Sequence, residues 1–408
     1  MALMKTSQDQ SEKTVSSTFL WPVFDERDVQ AVTEVARSGA WGNPDCSGLV
    51  EKFEKEFAEY CGSRFAVTCA NGSVSLRLAL MASGVRPGDE VIVPPYTFIA
   101  TASVVIECNC VPVFVDIHPD TYNLDPGKIE EAITPRTRAI IPVHFAGLAC
   151  EMDAIMEIAA KHNLTVIEDA AHAHGGTYRG KMLGTIGHAG SFSFQSSKNL
   201  NAGEGGIVVT DDEQIYDRIN SLRNVGRVKG GMWYEHHYLG CNYRITQFQA
   251  ALLSSQLKRL EEQTIIRDKN GRYLTELLRD VKGLTPLWRS AEATRHTYHL
   301  YMFRYDKAHF NGMSKRDFVA QLSAEGVPSS AGYPYPLYKQ AVFQEKNFMC
   351  YAIPEDVDYT KVYCAVAEHA CAEEAVWILQ HAMLGTLQDM EDFARAIRKI
   401  QNEARSVA

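Results

Sequence analysis

The sequence predicts an α/β protein: a large domain built on a mainly parallel sheet with helices on both faces, then a smaller α+β domain. Three observations carry that expectation. From Glu51 to about Thr210, short apolar runs alternate with helical patterns. The runs are apolar throughout rather than at every second residue, as strands covered on both faces require. After Ala170 the pattern changes, and a long helical region from about Thr246 to Val281 leads into a stretch of mixed elements.

In chain order, Phe65–Ala70 is a strand and Ser73–Met81 a helix, followed by strand Glu90–Val93 and helix Ala100–Ile106. Strands Val111–Val115 and Arg138–His144 come next. Helix Met152–Ala160 repeats its apolar residues every three or four positions and precedes strand Leu164–Ile167. Ser191–Phe194 and Ile207–Thr210 are two strands joined by the Gly-rich Ala202-Gly-Glu-Gly-Gly206. The helix from Thr246 to Val281 sets Leu252, Leu253, Leu257 and Leu260 against a Gln/Glu/Arg/Lys side, and the domain junction falls within it. Strand Tyr298–Arg304, helix Ser314–Glu325 and two final helices, Glu368–Met383 and Leu387–Asn402, complete the chain. The division is an N-terminal tail and lead-in (1–30), a large domain (31–265) and a small C-terminal domain (266–408).

Composition narrows the function. The 408 residues are 46% hydrophobic and 22% charged, a globular balance. With 41 Lys and Arg against 50 Asp and Glu the net charge is −9, unsuited to a nucleic-acid phosphate backbone. Ten cysteines, none in a CxxC pair, read as reduced packing thiols rather than a zinc cage. Residues 1–18 are polar with no apolar core of a signal peptide, and no apolar run is long enough to span a bilayer. A cytoplasmic protein without nucleic-acid or membrane partners is expected.

Ligands of parallel sheets bind beyond the carboxyl ends of the strands, and four polar sites stand there. Ala70-Asn-Gly-Ser73 opens a helix: Gly72 lets the backbone approach a ligand, and Ser73 is either the helix cap or part of an anion site. Asp169 ends a buried strand and needs a cationic or N–H partner, a neighbouring Arg or a ligand. His172 and His174 follow it, sharing a face in extended chain, but no third residue completes a metal set at suitable spacing. Lys198 ends the polar Ser193-Phe-Gln-Ser-Ser-Lys198, as a solvated charge or the edge of an enclosed anion site. Tyr96 and Phe98, in Pro94-Pro-Tyr-Thr-Phe98, either pack in the core or stack on a planar ligand. Together these are the parts that hold pyridoxal 5'-phosphate (PLP): anion cradle, stacking ring, carboxylate for the ring nitrogen and Schiff-base lysine.

Glu168-Asp-Ala-Ala-His-Ala-His-Gly175, Gly190-Ser-Phe-Ser-Phe-Gln-Ser-Ser-Lys-Asn199 and Gly203-Glu-Gly-Gly206 together resemble the DegT/DnrJ/EryC1/StrS family of PLP-dependent sugar aminotransferases. The resemblance runs from Trp41-Gly42 through Asn242-Tyr-Arg-Ile-Thr246 to the C-terminal helices. It implies the fold-type I architecture: a seven-stranded sheet in the large domain, a smaller C-terminal domain, and a homodimer with shared active sites. It makes Lys198 the Schiff-base lysine and proton shuttle, and Asp169 the partner of the pyridinium nitrogen. His172 is placed near the phenolic oxygen, and Ser193, Gly72 and Ser73 at the phosphate. Phe98 takes the stacking position, and Asn242 reaches the phosphate from the partner subunit. Transamination passes through pyridoxamine 5'-phosphate, with glutamine or glutamate as amino donor.

Ala-His-Ala-His-Gly, Gln195, Ala202–Gly206, Gln247-Phe-Gln-Ala-Ala251 and Gly332-Tyr-Pro-Tyr-Pro-Leu-Tyr338 resemble the branch that aminates carbocycles, the L-glutamine:scyllo-inosose enzymes and 3-amino-5-hydroxybenzoate synthase. That implies a keto-cyclitol or keto-sugar acceptor, with Tyr333 and Tyr335 as pocket phenols or as aromatics packed between domains. Lys198-Asn199-Leu200 reads instead like the nucleotide-sugar enzymes. Arg223, Arg227 and Lys229 are then candidates for a pyrophosphate, or members of a solvated loop. The presence of Lys198, Asp169 and Ser193 together argues against a catalytically silent regulator, and Lys198 itself against a dehydratase.

Overall fold

The computed structural model describes residues 14, 15 and 17–406, so most of the tail expectation for 1–18 lies outside the described residues. Helices α1 (Glu26–Ser38) and α2 (Leu49–Cys61) precede strand β1 (Phe65–Cys69) and helix α3 (Gly72–Ala82). Strand β2 (Glu90–Val93), helix α4 (Ala100–Glu107), strands β3 (Val111–Phe114) and β4 (Thr137–Ile140), helix α5 (Met152–His162) and strand β5 (Thr165–Asp169) follow. A two-stranded ribbon, β6 (Thr177–Tyr178) with β7 (Lys181–Met182), leads to β8 (Ala189–Ser193) and β9 (Gly206–Thr210). The seven-stranded sheet has the order β1-β9-β8-β5-β4-β2-β3, parallel except for β9, which runs against both of its neighbours. The expected α/β fold with a mainly parallel seven-stranded sheet is present.

Register fixes where a ligand can sit. Asp169 is opposite Ser191 on β8, while Gly206, the first residue of β9, pairs with both Ser193 and Cys69. The ends of β1, β5 and β8 therefore lie at one edge, beside the 194–205 loop that joins β8 to β9.

Helix α6 (Glu213–Arg223) precedes α7 (Gln247–Leu278), a 32-residue helix. The polar side of α7 is not simply solvated. Arg259 donates to Asp28 at 2.8 Å, Arg267 to Gln380 Oε1 at 2.6 Å, and Asn270 to the carbonyls of Met383 and Gly385. These buried polar groups find partners on α1 and in the C-terminal region, which is why the helix interior tolerates them.

A second, antiparallel sheet has the order β10 (Leu284–Pro286), β11 (Leu300–Tyr305), β13 (Ala375–Leu379), β12 (Ser329–Ser330). Helices α8 (Lys315–Ala324) and α11 (Leu387–Ser406) pack on it, while α9 (Ala341–Gln344) and α10 (Ala365–His369) reach back to the end of β3, with Phe343 against Phe114 and the Ala367 N–H donating to Asp116. The expected helix over Glu368–Met383 is helical only at its start, as far as Glu374. Its middle, Ala375-Val-Trp-Ile-Leu379, is β13, paired in register with β11. Four of these five residues are β-branched, aromatic or leucine, and sheet pairing outweighs their weak helical periodicity.

Tyr298, just before β11, is buried with φ +44°, a left-handed conformation unusual for an aromatic residue. Its ring lies on α7 at Gly271, where a methyl group would stand 2.5 Å from Tyr298 Cε2. Alanine gains about 1 kcal/mol over glycine in a free helix, whereas overpacking a core costs about 1–3 kcal/mol. Gly271→Ala is therefore expected to lower stability, by up to about 2 kcal/mol, read from the denaturant midpoint; an increase would contradict this packing.

Candidate active site

The first part of the site is an anion cradle. Helix α3 starts at Gly72, one residue before the sequence reading placed it, so its cap is Asn71 rather than Ser73. The Asn71 side chain accepts from the Val74 N–H at 2.9 Å. The Ser73 hydroxyl is thus exposed and free of the capping role, and the Gly72 and Ser73 N–H groups have no acceptor within the helix. Ser75 locks the helix to β8, its hydroxyl 2.5 Å from Ser191 Oγ and 3.2 Å from the Phe192 carbonyl. Gly72 consequently abuts Ser193, where an added Cβ would stand 2.6 Å from the serine Cβ. Two N–H groups at a helix start beside a serine hydroxyl suit a phosphate.

Asp169 is buried at the end of β5. One carboxylate oxygen accepts from Thr101 Oγ1 at 2.9 Å and the other from the Ala171 N–H at 3.3 Å. Burial nonetheless pushes its carboxyl above the ordinary range. Half-buried Lys198 is the complement: burial pushes its ammonium down to about 8, opposed by the Asp169 charge. Neither charge is satisfied by the other, an arrangement that suits a cationic ring against the aspartate and a reactive amine at the lysine. The neighbouring Glu168 points elsewhere: it accepts from the N–H groups of Gly184, Ile186 and Gly187, and His144 Nε2 lies 2.7 Å away.

His172 and His174 lie in turns and do not share a face. The His172 ring stacks on His299, centroids 4.1 Å apart, and the His174 ring sits beside Phe192 and Phe194. Burial drives both imidazoles toward the neutral form, His174 down to about 3. Nδ1 of His172 and both nitrogens of His174 are buried without a hydrogen-bond partner. An aromatic wall adjoins them. Phe145 lies 5.5 Å from His172 and 6.0 Å from Tyr333, and Tyr333 also packs on Tyr96 and Trp377. Burial and the nearby Asp169 charge push the Tyr333 phenol up.

The remaining expected residues separate. Tyr96 is core, 1% exposed, with its hydroxyl accepting from Trp377 Nε1 at 3.0 Å, while Phe98 is 59% exposed at the start of α4. Tyr335 is 44% exposed and stands outside the aromatic wall. Asn242 bridges Asn224 on a different segment, its side chain accepting from the Arg244 N–H. Arg223 is not a surface cation: it is buried, ion-paired to Glu54 and donating to the Thr68 carbonyl at 2.9 Å. Arg227 lies over Trp233. Sequence reasoning missed Thr101, Asn199 and His299. Thr101 was visible as a hydroxyl inside an apolar helix; His299 carried no local signal, because it joins the site from a hundred residues away.

The cradle, the buried carboxylate short of a cation and the half-buried lysine of lowered pKa fit PLP. A parallel sheet bearing them at its carboxyl edge defines a PLP-dependent aminotransferase. Residues 22–397 match the DegT/DnrJ/EryC1/StrS aminotransferase family, and the chain belongs to that family. A putative L-glutamine:3-amino-2,3-dideoxy-scyllo-inosose aminotransferase of Streptoalloteichus tenebrarius is 39% identical over 394 residues, covering 93% of each chain. GDP-perosamine synthase of Caulobacter vibrioides is 42% identical over 283 residues, 69% of this chain and 75% of that one. The crystal structure of 3-amino-5-hydroxybenzoic acid synthase has a TM-score of 0.86 at 32% identity, covering 97% of this chain and 100% of that one.

In the cofactor-free protein, acetylation of Lys198 mapped by mass spectrometry is expected to reach half its maximal rate near pH 8. Asp169→Asn removes the charge that favours the ammonium, so that midpoint should fall. A midpoint near 10 in the unsubstituted protein would contradict the burial of the amine.

Proposed function

We propose that this aminotransferase carries an amino group from glutamine or glutamate to a ketone on a cyclitol or sugar ring, with an inosose-type acceptor the leading case. The observation that carries the acceptor reading is the wall of Tyr333, Phe145 and Trp377 beside His172. It offers an apolar face and a phenol to a polyhydroxylated ring, with no second charge. The inosose relative named above supports the same choice. The commitment of Arg223 to Glu54 removes one of three cations that a nucleotide pyrophosphate would use.

In this reading Gly72, Ser73 and Ser193 hold the phosphate, Phe98 stacks on the ring, and His172 faces the phenolic oxygen. Asp169 holds a proton at the ring nitrogen. Bound there, PLP supplies an aldehyde that links covalently to amines and a ring that accepts the electron pair of a breaking Cα–H bond. Lys198 Nζ, with a pKa of about 8, is unprotonated often enough near neutral pH to take the proton from the donor Cα and later return one to the product carbon. The Thr101 hydroxyl orients the Asp169 carboxylate and favours its ionised form against the effect of burial. Donor and acceptor would use one pocket in turn, so the reaction would be ping-pong.

The reading also includes a homodimer in which Asn242 completes the partner subunit's phosphate site, and a cytoplasmic location, which the ten free cysteines suit. No described helix is long and apolar enough to cross a membrane. The division near residue 265 falls within α7, whose buried polar groups reach α1 on one side and Gln380 on the other.

Lys198→Ala is expected to bind PLP without the visible band of a lysine-linked cofactor and to lose essentially all turnover; borohydride trapping on another lysine would refute the role. Mixing Lys198→Ala with Asn242→Ala subunits should restore part of the activity, because one site of the hybrid keeps both residues. Proven subunit exchange without activity would sink the shared site. For the acceptor, kcat/KM for scyllo-inosose should exceed that for a nucleotide-linked 4-keto sugar, the alternative toward which the 42% identity to GDP-perosamine synthase points. Tyr333→Phe should lower the first by about 10-fold, the worth of one hydrogen bond. The opposite preference would transfer the assignment to nucleotide sugars.

A further inference from the structure

Asn199 follows Lys198 and is 2% exposed, yet the chemistry above gives it no part. Its amide is committed to residues 297–299, the segment that leads into β11. Nδ2 donates to the Thr297 carbonyl at 3.0 Å, and Oδ1 lies 3.0 Å from His299 Nδ1. A carbonyl only accepts, so the amide orientation is settled and Oδ1 must be the acceptor toward His299. His299 therefore carries its proton on Nδ1.

The His299 ring is buried against His172, 4.1 Å between centroids at an interplanar angle of 25°. Lys198, His172, His174 and Arg267 all bear on it electrostatically, and burial together with those charges favours its neutral form. The same segment also holds the backbone under His172: Thr297 Oγ1 donates to the His172 carbonyl at 2.6 Å, and the Thr297 N–H to the Gly147 carbonyl at 3.3 Å. One short stretch of chain thus grips the residue after the lysine and both the backbone and the ring of His172.

We propose that Asn199 and His299 are a positioning pair that fixes the Lys198 amine and the His172 imidazole relative to each other, so that both address one cofactor ring. Neither residue touches the reacting atoms. Asn199 acts through the backbone of Lys198, and His299 through the stacked ring of His172. The Lys198-Asn199 dipeptide then serves this grip and not the choice of acceptor, since the Asn199 side chain is buried and turned to Thr297 and His299.

The inference rests on the cofactor reading, and simple packing is its rival. Packing needs only a ring of similar size at position 299; positioning needs the N–H that meets Asn199. The test uses holoenzyme loaded with PLP and follows the visible band of the lysine-linked cofactor against pH. His299→Phe keeps the ring and drops the donor, and is expected to move the titration midpoint by at least half a pH unit and lower kcat about 10-fold, with KM for glutamine within 2-fold. Asn199→Leu removes the same bond from the other side, together with the bond to Thr297, and should move the midpoint in the same direction, with no further movement when His299→Phe is added to it. It carries the test alone if His299→Phe fails to fold. His299→Gln, which retains an N–H, should hold the unsubstituted midpoint. An unmoved midpoint in the Phe or Leu variant, or equal movement in the Phe and Gln variants, overturns the pair. Failure of the cofactor reading is distinct: the unsubstituted protein would take up no PLP on Lys198.

Discussion

Everything at this site depends on how closely α3 approaches the middle of the sheet. At Gly72 there is no room for a side chain against Ser193, and at Gly206 an added Cβ would meet the carbonyl group of Asn71. Two glycines, on a helix start and a strand start, let backbone touch backbone where a larger residue would push the layers apart. Ser75 then bonds to Ser191 across the contact and keeps it closed. The helix N–H groups and the serine hydroxyl consequently face the same small volume. The reversal of β9 matters for the same reason, since it returns the 194–205 loop, with Lys198 in it, to that edge.

Charge inside this edge is deliberately unbalanced. Asp169 has a hydroxyl and a backbone N–H for company but no guanidinium, and its carboxyl rises as a result. Lys198 stands near it, with His172, His174 and His299 near the lysine, each of the four held toward its uncharged form by burial. An isolated buried charge costs several kcal/mol, so unmatched groups of this kind persist where a ligand completes them. By contrast Glu168, next in sequence, has every need met by three N–H groups and a histidine. Adjacent carboxylates on one strand therefore serve opposite ends, one fixing the fold and one left available.

Much of this was legible in the chain. Strands apolar on both faces announced the parallel sheet, and the polar residues just past Phe65–Ala70, Leu164–Ile167 and Ser191–Phe194 announced the site. What could not be read was whatever depended on partners distant in sequence. Ser73 looked like a cap because the helix start is uncertain by a residue, and only geometry shows Asn71 doing that work. Ala375–Leu379 passed for helix until its pairing with β11 was known. Arg223 looked like a surface cation because nothing local reveals Glu54 beside it. Tyr333 and Tyr335, two residues apart, have the same composition around them, yet one lines the wall and the other faces solvent.

The segment from Arg295 to His299 leads into the second sheet but is bonded to the first. Arg295 Nε donates to the Gly175 carbonyl, Thr297 to Gly147 and His172, and His299 to Asn199. Mechanically it belongs with the sheet that carries the lysine. The antiparallel sheet is thus anchored, just before β11, to the loops that hold Lys198 and His172. The loop that carries Lys198 and the entry to the second sheet therefore share one set of hydrogen bonds.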